Sequence, residues 1–253
     1  MSESVTDSPA DDSPPRAQPQ LRWLDLLPVV AFTVAGIILV VAVLAALVRA
    51  DRPFIHDNAE TVALSATLLV YLAFGAGIAV ALRRLPAPLQ FLGLHWPTPV
   101  DIGRTLALIV PWYIGVALVS ALSAVVLNGG REVPGNTRQL FVQHPHGLGI
   151  LVLALLVTAV AAPLCEETFF RGMLFRLFRA RGPLWAAVLL SAIAFGLAHA
   201  SPAVSLALLP VFTYMGIVLA LTYAWTGSLT NSVLLHGLNN AVGTIAVYAV
   251  IAR

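Results

Sequence analysis

The sequence predicts an all-α, polytopic transmembrane helical bundle, because three features agree. Hydrophobic residues make up 59% of the chain and charged residues only 10%, against roughly 25% charged residues in a soluble domain. The mean hydropathy is +0.89. Apolar runs of about 20 residues recur along the chain, and each is long enough to cross a hydrocarbon core of about 30 Å. We therefore expect about seven membrane spans.

The N-terminal half begins with a polar tail. Residues 1–22 are rich in Ser, Pro and Asp and are expected to be disordered. They lack the basic start and short apolar core of a cleavable signal peptide, so the first apolar segment is expected to be an uncleaved helix. Residues 23–147 are expected to hold the N-terminal membrane helices, with spans at about 26–47, 61–82 and 105–127. The Pro-broken stretch 86–104 predicts an amphipathic surface segment, with Trp96 suited to the membrane interface.

Residues 148–253 contain four further apolar segments. The first begins near residue 148 and is predicted to continue as one helix towards Arg179; the others lie at about 183–200, 203–225 and 228–251. The polar loop 128–147 carries His144 and His146. This pair could hold a metal, but no acidic residue stands close by, so an exposed loop pair is expected.

Charge patterning predicts orientation and partners. All fourteen basic residues are arginines, and alternate counting from a cytoplasmic N-terminus places nine on one side and five on the other. The larger group comprises Arg16, Arg22, Arg83, Arg84, Arg104, Arg171, Arg176, Arg179 and Arg181. Because positive residues favour the cytoplasmic side, the N-terminus is predicted to be cytoplasmic. The Arg- and Ala-rich composition favours a bacterial plasma membrane. A net charge of +2 gives no indication of a nucleic-acid partner, so the lipid bilayer is the expected environment.

Cys165 is the only cysteine in the chain. It excludes an intrachain disulfide and a Cys-rich zinc site.

Glu166 and Glu167 are the only carboxylate side chains beyond Val133, and they interrupt an apolar segment. A charged group at the centre of a bilayer costs about 2.5–3.5 kcal/mol on insertion scales, so adjacent acids there indicate a functional site. A purely structural alternative is an ion pair between Glu167 and Arg171 at the i,i+4 spacing. That alternative leaves Glu166, His199 and His236 unexplained.

Helix geometry predicts that several of these polar residues meet. If the chain turns near Arg181 and Gly182, Glu166 lies about 15 residues before the turn and His199 about 17 after it. At ~1.5 Å per residue both stand some 23–26 Å along their helices, so they can face each other at one depth. His236 and Asn240, at i and i+4, share one helix face. Phe195 lies one turn from His199 in the same way.

These residues also resemble a known family. Glu166-Glu167-x-x-x-Arg171, Phe195-x-x-x-His199 and His236-x-x-x-Asn240 occur in this order on separate apolar segments. Together they look like the three-motif signature of the CPBP (Abi) intramembrane proteases, which include the Ras-converting type of CAAX endopeptidase. The resemblance covers roughly residues 148–248. Leu92-Gly93-Leu94 and Gly227-Ser228-Leu229 resemble the family's usual context as well.

The resemblance implies an active site inside the bilayer that cuts a peptide or membrane-protein substrate. Glu166 matches the catalytic glutamate, which with His199 would activate a water molecule. His236 and Asn240 match residues expected to stabilise the oxyanion. Arg171 would pair with Glu167, and Phe195 would pack against His199.

Two questions stay open at this point. Family members have been described both as metalloproteases and as glutamate proteases, and Glu166, His199 and His236 could form a His₂Glu zinc site. No His-x-x-x-His pair supports zinc here, so we expect no cofactor and keep zinc as the alternative. Buried acids and histidines also occur in ion- or proton-coupled transporters. The absence of a visible sequence repeat argues against that class. A catalytically silent scaffold is the third possibility.

Overall fold

The computed structural model describes residues 21–131, 147–200 and 205–251, and these residues form helices and short connections without a strand. Seven helices within that part of the chain have ten or more residues. They are α1 (Trp23–Ala50), α2 (Ala59–Leu82), α3 (Pro99–Leu127), α4 (Gly147–Arg179), α5 (Leu184–Ala198), α6 (Leu206–Thr226) and α7 (Leu229–Ile251). Two short helices, Arg52–Asp57 and Pro88–Leu92, lie in connections. The predicted all-α membrane bundle is confirmed.

Six of these helices are long and apolar enough to cross a membrane, and α5 is the exception. Its 15 residues span about 22 Å at 1.5 Å per residue, less than the hydrocarbon core of about 30 Å. The helix ends at Ala198 because its last turn tightens: the His199 N–H donates to the Gly196 carbonyl, three residues back. All seven predicted apolar segments are therefore helical in the described part of the chain, six of them with the length to span a membrane and the seventh, α5, shorter than predicted.

Helix α3 begins earlier than predicted. Thr98 caps it by accepting a hydrogen bond from the Asp101 N–H, the Asp101 carboxylate bonds back to the Thr98 N–H, and Pro99 occupies the first turn. This is a capping box, which fixes a helix start. The predicted surface segment is consequently shorter than 86–104, although Trp96 is 91% exposed as an interfacial residue should be.

Arginines gather at one end of the bundle, which we call the arginine end (Arg22, Arg83, Arg84, Arg104, Arg179 and Arg181). Arg84, two residues beyond the end of α2, pairs with Asp25 at the start of α1. The Arg181 guanidinium lies 5.4 Å from the Trp23 ring centre. These contacts place the start of α1 and the ends of α2 and α4 at the same side.

Arg171 was predicted to lie with these arginines on the cytoplasmic side, and that prediction is wrong. Its side chain is fully buried in the middle of α4, where it pairs with Glu167, and contributes nothing to the arginine end. Of the other predicted features, residues 1–20 and the His144/His146 pair lie outside the described residues.

The segments Leu92-Gly93-Leu94 and Gly227-Ser228-Leu229 meet at the arginine end. Gly93 and Gly227 both have positive φ angles, 68° and 66°, which glycine adopts without a steric penalty. The Leu229 N–H donates to the Gly93 carbonyl at 2.9 Å, and the His95 N–H donates to the Thr230 hydroxyl at 3.0 Å. The start of α7 is thereby fixed seven residues before His236.

Candidate active site

Helix α4 departs from regular α-helical geometry on both sides of its acidic pair. The turns Leu156–Ala161 and Thr168–Phe175 are π-helical, and the stretch Ala162–Glu167 between them is α-helical. π-helical turns are frequent at functional sites because they change the direction in which side chains point. Glu166 is 8% exposed and Glu167 is fully buried.

Glu167 holds two partners in the protein interior. Arg171 Nη1 donates to Glu167 Oε1 at 2.8 Å, and Arg171 Nη2 donates to the Gly216 carbonyl of α6 at 3.0 Å. His236 Nδ1 of α7 also lies 2.8 Å from Glu167 Oε1. The expected pair between Glu167 and Arg171 is therefore present. Its extension to His236 was not predicted.

Glu166 presents its two carboxylate oxygens to different neighbours. The Tyr71 hydroxyl of α2 donates to Oε1 at 2.5 Å. Oε2 is buried and has no hydrogen-bond partner among the described residues. It lies 3.8 Å from His199 Nε2 and 3.9 Å from His236 Nε2. Glu166 and His199 thus face each other at one depth, as the hairpin geometry predicted.

The hydrogen-bond partners indicate which ring nitrogen of each histidine carries a proton. His199 Nδ1 lies 2.8 Å from the Phe195 carbonyl oxygen, and His236 Nδ1 lies beside the Glu167 carboxylate. Because carbonyl and carboxylate oxygens only accept hydrogen bonds, both Nδ1 atoms are donors. In a neutral imidazole the other nitrogen then carries the lone pair. Both Nε2 atoms face Glu166 Oε2, so the space between the three atoms favours a water molecule or a cation.

Aromatic rings hold the His199 imidazole in place. Its ring centre lies 4.6 Å from that of Phe195 and 4.5 Å from that of Phe212, which stacks on it. The Phe195 ring also contacts His236 at 5.7 Å between ring centres and lies 4.5 Å from the Arg171 guanidinium. Phe195 therefore packs against His199 as expected and also separates that ring from the Glu167–Arg171 pair.

Asn240 lies in a hydrogen-bonded chain. Its Nδ2 donates to the Thr158 carbonyl of α4 at 2.9 Å, and its Oδ1 accepts from Asn239 Nδ2 at 3.1 Å. Asn239 Oδ1 in turn accepts from the indole N–H of Trp112 at 3.0 Å. One Nδ2 hydrogen of Asn240 is thus already used, and the second is free for a ligand.

Tyr71, Asn239 and Trp112 were not predicted as site residues. The sequence offered a signal only for Asn239, which adjoins Asn240 in the third motif.

Two cavities meet at the site. A cavity of about 450 Å³, lined by both polar and apolar side chains, contains Glu166, His199, His236 and Asn240 on its wall. A second, largely apolar cavity of about 440 Å³ lies among α1, α2 and α4. Tyr71, Glu166 and His199 line both. A substrate could therefore place an apolar portion on one side of Glu166 and a polar portion on the other.

The residues that could bind a metal are Glu166, His199 and His236. Metal-binding histidines usually donate their second ring N–H to a carboxylate or a carbonyl, as both histidines do here. Within the described ranges, however, no three His, Cys, Asp or Glu side chains stand at metal-binding separation. The donor set fits zinc, but these side chains would have to shift slightly to bind it.

Comparison with known proteins adds independent information. Residues 148–242 match the sequence profile of the family described as Rce1-like type II CAAX prenyl endopeptidases. One relative is an uncharacterized 24.3 kDa protein of Escherichia coli, 28% identical over 145 residues that cover 56% of this chain and 66% of that protein. Another is the membrane-embedded CAAX protease MroQ of Staphylococcus aureus (strain USA300), 30% identical over 145 residues that cover 52% of this chain and 56% of that protein.

The matched region is thus slightly less than two thirds of the length of the first relative and just over half of the second. No solved structure matches the chain.

Proposed function

Through residues 148–242 the chain belongs to the family of Rce1-like type II CAAX prenyl endopeptidases, and on that premise we propose that it is an intramembrane endopeptidase. The observation that carries this proposal is the buried, unpartnered Glu166 Oε2 between His199 Nε2 and His236 Nε2. A carboxylate oxygen and an imidazole nitrogen that both lack a donor can accept the two protons of one water molecule. The substrate is a peptide or a membrane-associated protein.

The first step is attack by water on the peptide carbonyl. Glu166 Oε2 takes one proton from the water while His199 Nε2 accepts a hydrogen bond from the other, and the water oxygen bonds to the carbonyl carbon. General-base assistance of this kind contributes about 10²- to 10⁴-fold to the rate. The Phe195 carbonyl and the stacked Phe212 ring hold His199 in the required orientation.

The negative charge then develops on the former carbonyl oxygen. The second Nδ2 hydrogen of Asn240 is available to it. His236 can donate to it only when Nε2 also carries a proton, because Nδ1–H is already bonded to Glu167. The buried Glu167 carboxylate stabilises that imidazolium. Pre-oriented donors of this kind are worth about 2.7–4 kcal/mol each in the transition state.

The reaction ends with proton transfer to the leaving group. Glu166 gives its proton to the amide nitrogen, the C–N bond breaks, and an amine and a carboxylic acid leave. The carboxylic acid gives its remaining proton to His199 Nε2, and the imidazolium releases it to solvent or to the product amine, so His199 also regains its neutral form. One water is consumed, and Glu166 returns to its carboxylate form.

A zinc-dependent version of the same protease is the second candidate. The fixed Nδ1–H groups of His199 and His236 favour it, because they leave both Nε2 atoms as ligands beside Glu166. Bound there, zinc would lower the pKa of a water ligand and polarise the substrate carbonyl. The roles of Asn240 and of the Glu167–Arg171 pair are the same in both versions.

The environment of the site supports a substrate that is itself in the membrane. The second cavity reaches Glu166 from an apolar space among α1, α2 and α4. We place the protein in a bacterial plasma membrane with the arginine end in the cytoplasm, following the distribution of positive residues.

The test uses purified full-length protein reconstituted in lipid bilayers. It is incubated with a mixture of membrane-protein peptides, and new termini are identified by mass spectrometry. We expect new termini from the wild type and none from Glu166→Gln. Asp57→Asn, which removes the charge of an exposed carboxylate in a connection, is the matched control and should cleave normally. Equal products from wild type and Glu166→Gln would contradict the proposal.

A further inference from the structure

Tyr71 contacts the reactive carboxylate from outside the region that carries the family motifs. It lies on α2, whereas the three motifs and the family match fall within residues 148–248. Its hydroxyl donates to Glu166 Oε1 at 2.5 Å, across 95 residues of sequence. Because the ring also lines both cavities, Tyr71 stands where the apolar and polar spaces meet at the carboxylate.

The two oxygens of Glu166 are made unequal by this contact. A glutamate carboxylate rotates readily about its terminal torsion, so without a partner its plane could turn until neither oxygen points between the histidines. The Tyr71 hydroxyl occupies Oε1 and leaves Oε2 as the oxygen between the two imidazoles. Among the described residues, no arginine lies within 4.0 Å of Glu166 to fix it instead.

The local packing holds Tyr71 in register with α4. The Cys165 thiol, next to Glu166, donates to the Tyr71 carbonyl at 3.5 Å. One turn along α2, a Cβ at Gly75 would be in ordinary contact with the Cys165 sulfur, at 3.4 Å. The Phe74 ring packs edge-on against Phe169 of α4, with 5.5 Å between ring centres. Helix α2 is therefore fixed to α4 on both sides of the Glu166 position.

We propose that Tyr71 is a positioning residue that fixes the orientation of the Glu166 carboxylate by binding Oε1, so that the other oxygen, Oε2, stays directed at the water. This inference rests on the proposed function and adds to it a group from the N-terminal helices. Loss of the hydroxyl leaves the carboxylate free to rotate, so fewer molecules have a carboxylate oxygen directed at the water. A hydrogen bond to a charged group corresponds to a change of roughly 10- to 100-fold in rate. Because the bond serves the base and not the substrate, kcat falls and KM does not.

The experiment compares Tyr71→Phe with Tyr214→Phe in the full-length protein in lipid bilayers. The Tyr214 hydroxyl donates to the Pro111 carbonyl at 3.3 Å and lies outside both cavities, so its loss is a matched control. With one of the peptides cleaved by the wild type, Tyr71→Phe should lose roughly 10- to 100-fold in kcat at unchanged KM. Tyr214→Phe should retain wild-type kcat.

A wild-type kcat in Tyr71→Phe, or a loss that appears only in KM or in melting temperature, would overturn the inference. Infrared spectroscopy makes the test independent of proteolysis. The carboxylate band that disappears in Glu166→Gln should shift in Tyr71→Phe and not in Tyr214→Phe. If the wild type cleaves nothing while this band shifts, the proposed function fails and the positioning contact stands. An unshifted band overturns the positioning role whatever the activity.

Discussion

Gly237 of α7 lies directly against the main-chain carbonyl of Ala159 on α4, and a Cβ atom at position 237 would stand 2.6 Å from that oxygen. In a regular α-helix the Ala159 carbonyl would accept from the N–H four residues later, which is Pro163 and has none. The turn is π-helical instead. The close approach of α7 at this point brings the neighbouring His236 to Glu166 and Glu167.

The first prediction tests this approach. Gly237→Ala should push α7 away from α4, lowering the free energy of unfolding by about 1–3 kcal/mol, as overpacking does, and reducing kcat. Thermal unfolding and cleavage assays check both. Gly103→Ala is the control, because a Cβ there meets nothing within 4 Å and alanine in a helix gains about 0.5–1 kcal/mol over glycine. Unchanged stability and activity in Gly237→Ala would contradict the account.

The second prediction concerns the buried ion pair. Arg171→Ala removes one partner of a fully buried pair and leaves Glu167 unpaired, which costs about 3–5 kcal/mol. We expect a lower melting temperature and loss of activity. Arg179→Ala, at the exposed turn of the arginine end, should change neither. Equal shifts in the melting temperatures of the two variants would show that the buried pair contributes no more to stability than the exposed Arg179 does.

The third prediction separates transition-state stabilisation from substrate binding. Asn240→Ala removes the free Nδ2 hydrogen at the site, so kcat should fall by about 10²- to 10³-fold with little change in KM. Steady-state kinetics with a cleaved peptide measure both constants. Gln90→Ala removes an exposed carboxamide at the arginine end and serves as the control. A raised KM at normal kcat would instead assign Asn240 to substrate binding.

The fourth prediction distinguishes the two forms of the protease. In the metal-free form, purified wild type, His236→Ala and Asn240→Ala all lack stoichiometric zinc and activity survives chelators. In the zinc form, His236→Ala loses the metal while Asn240→Ala keeps it. Elemental analysis of the three proteins decides between them. Zinc that disappears only in His236→Ala would overturn the metal-free mechanism and leave the protease assignment intact.

The sequence was sufficient for those features that follow from helix periodicity. Residues on one hairpin can be placed by counting, so Glu166 opposite His199 was predictable, and the i,i+4 rule paired Glu167 with Arg171. The contact of His236 with Glu167 depends on how far α7 slides along α4. That register is fixed by the packing at Gly237 and Pro163, which cannot be predicted from the periodicity of hydrophobic residues in the sequence.

Other features depended on tertiary contacts between distant helices. Tyr71 and Trp112 lie in apolar spans where an aromatic residue is ordinary, and only the folded chain shows their polar atoms reaching Glu166 and Asn239. The early end of α5 could not be predicted from the sequence either, because the apolar composition continues to Ala200. That early end places His199 beyond the last helical turn, where the free Phe195 carbonyl can accept its Nδ1–H.

The most direct measurement is the kcat of Glu166→Gln, His199→Ala and the double variant on one cleaved peptide, with melting temperatures recorded for each. If Glu166 and His199 activate one water as a unit, either single change abolishes proteolysis without unfolding the protein. The double variant then loses no more than the more damaging single variant, because residues that act together are not additive. Substantial activity in either single variant, or losses that multiply in the double variant, would contradict the account.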